Sequence, residues 1–332
     1  MVRPGRRNLI TDVAGLSVGH ADDPRVQSGA TVLLCDGFWR AGVDARGGAP
    51  AVRESETLAP ENLVGRLHAL VVSGGSVFGL GAADAVTAEL SARGVGMNLR
   101  PGTPPTPIVG GAALYDLANG GDKDWGADPP YRRLGLQALQ AAGAEFALGS
   151  FGAGCGARAG VVKGGLGSAS ADLGDGLMVG ALAAANPVGD VFMPDGKTYW
   201  AWPFEIDGEF GGRRPGAMPP ALDPIPTGAR IDADRLKAGL NTTVGVIAVT
   251  ADLTTAECKR VAIMAQDGLA RAIRPAHLPF DGDTVFALAS GARPLGGDPD
   301  IRDLAVAMLG SAAADCLARS IARGVYEALR TA

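Results

Sequence analysis

The sequence predicts a mixed α/β fold on three observations: short apolar runs bounded by Gly and Pro, longer segments of helical spacing alternating with them, and 50 glycines beside only 5% aromatic residues. The short runs have the composition of buried strands, and the helical segments stop at glycine or proline. So many glycines imply close backbone packing and frequent tight turns, since glycine lacks a Cβ and adopts left-handed conformations freely. At 332 residues and 47% hydrophobic content the chain can bury one large core, and length alone would also allow two smaller domains.

In chain order, strands are expected at residues 30–34 and 69–72. A helix is expected over 78–93 with Gly94 as its C-cap, and another over 131–142 with Gly143 as its C-cap. From 203 to 240 the chain turns Pro-, Gly- and charge-rich with weak periodicity, which reads as a long exposed connection. Such segments in compact domains are usually functional or disordered. This one ends at Asn241-Thr242-Thr243, where a β-branched strand over 244–249 begins, so one peptide bond can be held under strain there. Thr254 and Glu257 stand at capping-box spacing before a third helix, 258–273, which Pro275 stops. A final helix spans about 299–328, with Gly310 as a candidate bend. No repeat of fixed period occurs, which excludes solenoids and propellers.

A formal net charge of −5 argues against nucleic-acid partners, which require a positive face to displace counterions from phosphates. Arg3, Arg6 and Arg7 form one short basic cluster, read as a solvated start. The polar residues after it do not form an apolar signal core, so no secretory signal is expected and the chain is read as cytoplasmic. Runs such as GLMVGALAAAN are shorter than the roughly 20 apolar residues a bilayer needs and are read as core, so no membrane partner is expected. Cys35, Cys155, Cys258 and Cys316 are far apart with no CxxC pair, and His20, His68 and His277 are the only histidines. Neither a metal nor any other cofactor is expected.

The familiar hydrolase signatures are missing: there is no GxSxG elbow, no HExxH and no P-loop lysine motif. A hydroxyl can still be activated at a chain N-terminus, where the free α-amine, with a pKa of about 7.7 to 8.0, serves as its general base. Exposing such an amine at Thr242 requires cleavage of the Asn241-Thr242 bond, by attack of the Thr242 hydroxyl on the Asn241 carbonyl to give an ester that water opens. Taken alone, Asn-Thr before a strand reads as a turn entering a sheet.

Seven blocks together resemble the self-processing DmpA-type aminopeptidase family, which includes the β-aminopeptidases and nylon-oligomer hydrolases. They are ITDVAGLSVGH at 10–20, GATVLL at 29–34, VDARGGAPAVRE at 43–54, SGGSVFGLGAADAV at 73–86, ANPVGDV at 185–191, NTTVGVIAVTADL at 241–253 and FDGDTVFALA at 280–289. They span nearly the whole chain and keep the family's order. The resemblance implies a four-layer αββα sandwich of the DmpA and ornithine acetyltransferase type, related to N-terminal-nucleophile hydrolases. It further implies one hydrolase domain over 1–332, self-cleaved into fragments 1–241 and 242–332, with 203–241 as the exposed connection ending at the cut.

The same resemblance assigns roles. Thr242 matches the nucleophile and Asn241 the end of the first fragment. Asn186 matches a side-chain amide whose NH2 donates to a developing oxyanion, an interaction worth about 2.7 to 4 kcal/mol; its plain alternative is a turn before Pro187. Asp281 and Asp283 match an acidic pair holding the terminal amine or the hydroxyl, and an i, i+2 pair in an extended strand points both carboxylates to one face. Taken alone, DGD also reads as a turn or a casual metal loop.

Lys163 matches an active-site lysine of the nylon-hydrolase branch, where a cation would lower the pKa of the new amine; otherwise it is a solvated loop lysine. Tyr115 corresponds to a tyrosine near the substrate, or is a half-buried packing residue. Gly74 and Gly75 stand ahead of a helix but lack GxGxxG spacing, so they read as a Gly-lined pocket wall for substrate rather than a dinucleotide site. Arg46, Gly47 and Gly48 receive no role. A threonine nucleophile with two aspartates resembles the nylon-oligomer branch, because the aminopeptidase members carry serine at the nucleophile and serine and glutamate at the paired positions.

The function expected is therefore a self-cleaving amide hydrolase of short peptides, amides or esters, acting through an acyl-enzyme. Two alternatives stay open: an acyltransferase of the ornithine acetyltransferase type, and an uncleaved Gly-rich binding protein. Gly- and Ala-rich helix faces such as LAVAMLGSAAADCL suit packing between subunits, and the resemblance to a family that forms homo-oligomers implies a homotetramer.

Overall fold

A computed structural model of the chain describes residues 2–216, 222–231 and 241–330. Its strands are β1 (Leu16–Asp23), β2 (Ser28–Ala45), β3 (Ala51–Arg53), β4 (Arg66–Ser73), β5 (Val109–Ala113), β6 (Arg158–Ala159), β7 (Val162–Lys163), β8 (Gly165–Asp172), β9 (Met178–Asn186), β10 (Thr242–Ala251) and β11 (Thr284–Arg293). Its α-helices are α1 (Gly81–Ala92), α2 (Tyr131–Gln140), α3 (Thr255–Ala272) and α4 (Pro299–Arg330). Local signals explain several of their ends. Thr254 Oγ1 accepts from the Glu257 backbone N–H while the Glu257 carboxylate accepts from the Thr254 N–H, the reciprocal cap that starts α3. Gly94, at φ +78°, closes α1 as expected. Gly143 does not cap α2: the helix ends at Gln140, and Gly143 pairs its backbone with Val18 instead.

Hydrogen bonds join the strands in the order β3-β5-β4-β2-β11-β10-β9-β8, with β1 antiparallel to β2, while β6 and β7 make a separate hairpin. The long β2 is where this sheet turns over. Its first half pairs with β1 and β4, its second half takes β11, and its register against β4 shifts between Leu34 and Trp39. The two halves then face each other. Leu33, Leu67, Leu70 and Val72 from one meet Leu182, Val244, Val246, Phe286 and Leu288 from the other in a shared core.

Side chains alternate across a strand, so every second residue points away from that core. On one outer side Ala30, Val32, Ala69 and Val71 pack with Val86 and Leu90 of α1 and Leu134 and Leu139 of α2. On the other, Ala181, Ile247, Val249, Val285 and Ala287 pack with α3 and α4. Helices, sheet, sheet and helices form the four-layer αββα sandwich.

Small residues set the distances between layers. A Cβ on Gly167 of β8 would lie 1.8 Å from the Ser320 carbonyl oxygen of α4, so that helix rests directly on strand backbone. Gly310 has a packing role, since a Cβ there would meet Met264 Sδ of α3 at 2.4 Å. The Gly- and Ala-rich face of α4 expected between subunits is buried within this chain: Leu309, Ala313, Ala314, Cys316 and Leu317 are all nearly inaccessible. By length and composition α4 could cross a bilayer, but 61% of its most apolar window is buried inside the molecule, as in a core helix.

The stretch from 203 is not exposed throughout. Phe210 is buried in the α3/α4 core, and Glu209 pairs at 2.5 Å with the buried Arg319. Burial of this aromatic ring is what ties the segment down, although its sequence lacks strand or helix periodicity. Residues 217–221 and 232–240 of the expected connection lie outside the described residues.

Candidate active site

The site follows from strand register. β10 begins at Thr242, and its antiparallel pairing with β9 sets Thr242 opposite Asn186. On the other side β10 runs parallel to β11, and just before both strands Asn241 bridges to Asp281. Residues 186, 242 and 281, far apart in sequence, are thereby placed on adjacent strand ends. All are buried: Asn186 is 0% exposed, Thr242 3%, Asn241 6%, and Asp281 and Asp283 1% each.

The Thr242 hydroxyl donates to the carbonyl oxygen of Asn241, the residue just before it. The same oxygen accepts from the Gly282 backbone N–H at 3.0 Å. A hydroxyl beside the preceding carbonyl can reach its carbon through a five-membered ring, and a fixed N–H donor on that oxygen is placed to hold the charge that attack creates. Gly282 must be glycine here, because a Cβ would stand 2.5 Å from Thr242 Oγ1.

The two aspartates differ in their surroundings. They precede β11 rather than lying in it, and the loop at 46–49 holds them in place: Arg46 and Gly47 N–H groups donate to the Asp283 carbonyl, and Ala49 N–H donates to that of Asp281. Asp283 Oδ1 accepts from Thr243 N–H at 2.8 Å. Its Oδ2 accepts from His277 N–H at 2.9 Å and lies 3.0 Å from His277 Nδ1. Asp281 Oδ2 accepts from Leu278 N–H at 3.2 Å, whereas its Oδ1 is buried with no hydrogen bond of ordinary geometry among the described residues, the Val188 backbone N–H facing the carboxylate more loosely. Burial and the neighbouring Asp283 push Asp281 up to about 7.

Asn186 is clamped. Its Oδ1 accepts from Arg158 N–H at 2.9 Å and Asn119 Nδ2 at 3.0 Å, and its Nδ2 donates to the Tyr115 carbonyl at 2.8 Å. One of the two N–H groups expected to serve an oxyanion is therefore committed to Tyr115, which joins the site by its backbone while its side chain is half-buried. Lys163 is exposed on the β6/β7 hairpin opposite Arg158, and among the described residues no hydrogen bond or ion pair joins it to Thr242. Gly74 and Gly75 do not line an open wall. Gly75 N–H donates to Asp116 Oδ1 at 2.8 Å, and a Cβ on Gly74 would lie 2.2 Å from Ser28 Oγ, so both close a buried cluster of Asp116, Ser28 and Tyr131.

Four further residues belong to the site: Gly282, His277, Asn119 and Arg230. The Arg230 guanidinium donates to Asn241 Oδ1, to the Arg158 carbonyl at 2.9 Å, to the Pro187 carbonyl at 3.2 Å and to Asn119 Oδ1 at 3.3 Å. Burial, helped by the nearby Arg158, lowers its pKa to about 10. No sequence pattern marks it, because it sits in the weakly periodic stretch before Thr242. Gly282 lies inside the DGD triplet, where the acidic neighbours draw attention away from the backbone N–H. Among the described residues no group of three or more His, Cys, Asp or Glu is placed to hold a metal ion.

The family model for peptidase family S58 matches residues 8–332. An uncharacterized aminopeptidase of Mycobacterium tuberculosis (strain ATCC 25618 / H37Rv) is 45% identical over 338 residues, covering 97% of this chain and 94% of the relative. A 6-aminohexanoate-oligomer endohydrolase of Kocuria sp. (strain KY2) is 31% identical over 293 residues, covering 86% of this chain and 76% of the relative. Among solved structures, the L-aminopeptidase D-Ala-esterase/amidase from Ochrobactrum anthropi, described as a variant of the Ntn hydrolase fold, superposes with a TM-score of 0.69 at 20% identity, over 98% of this chain and 88% of that one.

Proposed function

The chain belongs to peptidase family S58, an aminopeptidase or amidohydrolase by that membership, and from that premise we propose that it cleaves itself between Asn241 and Thr242 and then hydrolyses amides with Thr242 as an N-terminal nucleophile. The observation that carries this is the Thr242 hydroxyl on the Asn241 carbonyl, with Gly282 N–H on the same oxygen.

In the first reaction Thr242 Oγ1 bonds to the Asn241 carbonyl carbon, and its proton passes to the departing amide nitrogen. The C–N bond breaks, leaving an ester and a free α-amine. Water hydrolyses the ester, giving an Asn241 carboxylate and restoring the hydroxyl. In turnover the new amine takes the Thr242 proton as the hydroxyl attacks a substrate amide and delivers it to the leaving amine; water then resolves the acyl-enzyme. Gly282 N–H, with the second N–H of Asn186, stabilises the oxyanion.

Asp281 Oδ1, buried and unpaired, suits an ammonium, which favours short peptides or amides with a free amino end. The Kocuria relative's name specifies an amide oligomer, which fits a nucleophile acting on unactivated amides.

Electrophoresis of wild-type and Thr242→Ala protein tests the proposal. Two fragments from the former and one intact band from the latter are expected; splitting of Thr242→Ala, or amide hydrolysis by it at the wild-type rate, would rule out this nucleophile. Equal turnover of amino-blocked and unblocked amides would remove the ammonium contact. We further propose a homo-oligomer, tetrameric, associating through exposed Ile301, Leu304 and Met308 at helical spacing on α4. Sedimentation of Leu304→Glu should then show smaller species than wild type.

A further inference from the structure

Resting on the self-cleavage reading, we infer that Arg230 and Asp281 form the two ends of an acyl subsite that selects substrates with an N-terminal aspartyl residue, asparaginyl being next best. One nucleophile attacks the Asn241 carbonyl and later the substrate carbonyl, so Asn241 occupies the place of the substrate's acyl residue. The surroundings of its side chain and main chain then describe what that place accepts.

Asn241 Oδ1 is held by Arg230 Nη2. The Arg230 Nε is buried with no partner among the described residues. Nε and Nη2 lie along one edge of the planar guanidinium, the edge that takes a carboxylate by two parallel hydrogen bonds. An amide oxygen fills one position of that edge. An aspartyl carboxylate of the same length fills both.

The other end is Asp281, the residue bridged to Asn241 across the parallel strand ends, with its Oδ1 buried and open. In this proposal a free N-terminal ammonium on the acyl residue meets the carboxylate there.

The subsite outlasts the cut. Arg230 is anchored by its own N–H on the Val188 carbonyl at 2.8 Å, and its guanidinium holds the Arg158 and Pro187 carbonyls and Asn119 Oδ1. None of these bonds involves Asn241. The neighbouring stretch is pinned as well, with Val161 N–H on the Gly228 carbonyl at 3.0 Å.

Hydrolysis of the p-nitroanilides of L-Asp, L-Asn, L-Leu and L-Ala by the processed enzyme tests this. We expect kcat/KM for Asp to exceed that for Leu about tenfold or more, Asn to fall between, and Arg230→Gln to lower the Asp/Leu ratio of kcat/KM about tenfold. Arg230→Lys should restore part of the preference. Leu or Ala cleaved as well as Asp, or an equal loss on all four in Arg230→Gln, would overturn the subsite.

Should Arg230→Gln fail to split, self-cleavage of acyl-position variants gives the same answer with Arg230 intact. Asn241→Asp should split at least as fast as wild type and Asn241→Leu about tenfold more slowly, and Asn241→Leu splitting as fast as wild type would overturn the inference. A wild-type chain that never splits and turns over none of the four substrates sinks the parent reading together with the subsite, whereas splitting with flat specificity sinks the subsite alone.

Discussion

Asp116 and Asp281 are both buried carboxylates next to strand ends, and the loop at 115–119 connects their neighbourhoods through Asn119 and Asn186. Around Asp116 the acceptors are filled. Ser28 Oγ donates to Oδ2 at 2.7 Å, Gly75 N–H donates to Oδ1, and the Tyr131 hydroxyl donates back to Ser28 at 3.0 Å. Around Asp281 the Oδ1 oxygen has no hydrogen-bond donor among the described residues, and beside Thr242 the Arg230 contact with Asn241 leaves the Arg230 Nε without an acceptor among them. A buried polar group left unpaired is destabilising by about 1 to 3 kcal/mol. At Asp116 the filled acceptors hold the fold together, and at Asp281 the open one is where we propose that substrate arrives.

The strongest way to break that contrast is at Thr242, the proposed nucleophile. Thr242→Ala should abolish self-cleavage and lower amide hydrolysis by about 10³-fold or more, read by electrophoresis and steady-state assay, while Thr242→Ser keeps both reactions. Next in size is Gly282→Ala. The added methyl meets Thr242 Oγ1, and a misplacement of that kind costs about 10²-fold, so the conversion of precursor to fragments should slow by that order while circular dichroism stays unchanged.

On the filled side the expected effect is on stability alone. Ser28→Ala leaves Asp116 Oδ2 and the Tyr131 hydroxyl unpaired and should cost about 1 to 3 kcal/mol in denaturant unfolding, with the splitting rate within about twofold of wild type. A large loss of splitting in Ser28→Ala would erase the distinction.

The smallest effect is a pH slope. Asp281 is raised in the folded state from 3.8 to about 7, so the fold binds its proton more tightly than the unfolded chain does. That contribution is fully present below about 4 and is lost as pH rises through about 7. In the uncleaved Thr242→Ala chain Tm should therefore fall more steeply between these values than in a Thr242→Ala/Asp281→Asn double variant; parallel curves would mean that Asp281 is not desolvated.

What the sequence made legible were features that act locally. The Thr254/Glu257 cap, the Gly94 stop and the strand that opens at Thr242 each depend on neighbours within a few residues. The helical spacing over 131–142 reached the right helix but not its end, because Gly143 was claimed by a long-range pairing with Val18. Strands β8 and β9 are mostly Ala, Gly and Ser, which carry weak strand propensity, and they form through pairing with each other and with β10. The turning of the sheet at β2 left no local trace, so the four layers came only from resemblance to a family.

Within the site, the residues legible in the sequence are those that family motifs mark. Arg230 was invisible because a positioning guanidinium needs no periodicity, only an anchored loop, and Gly282 was hidden because its contribution is a backbone N–H. Gly74 and Gly75 read from sequence as a pocket wall, whereas what requires glycine there is internal: the ring of Tyr131 and the Asp116 carboxylate occupy the space a side chain would need.

The central claim is that one hydroxyl acts first on its own chain and then, freed with its amine, on substrate. Intact-mass spectrometry over time, with amidase activity sampled from the same tube, tests it most directly. The account predicts that the 33.5 kDa species gives way to two fragments whose junction is Asn241/Thr242, with activity rising in step. Full activity from a chain that remains one polypeptide would contradict it.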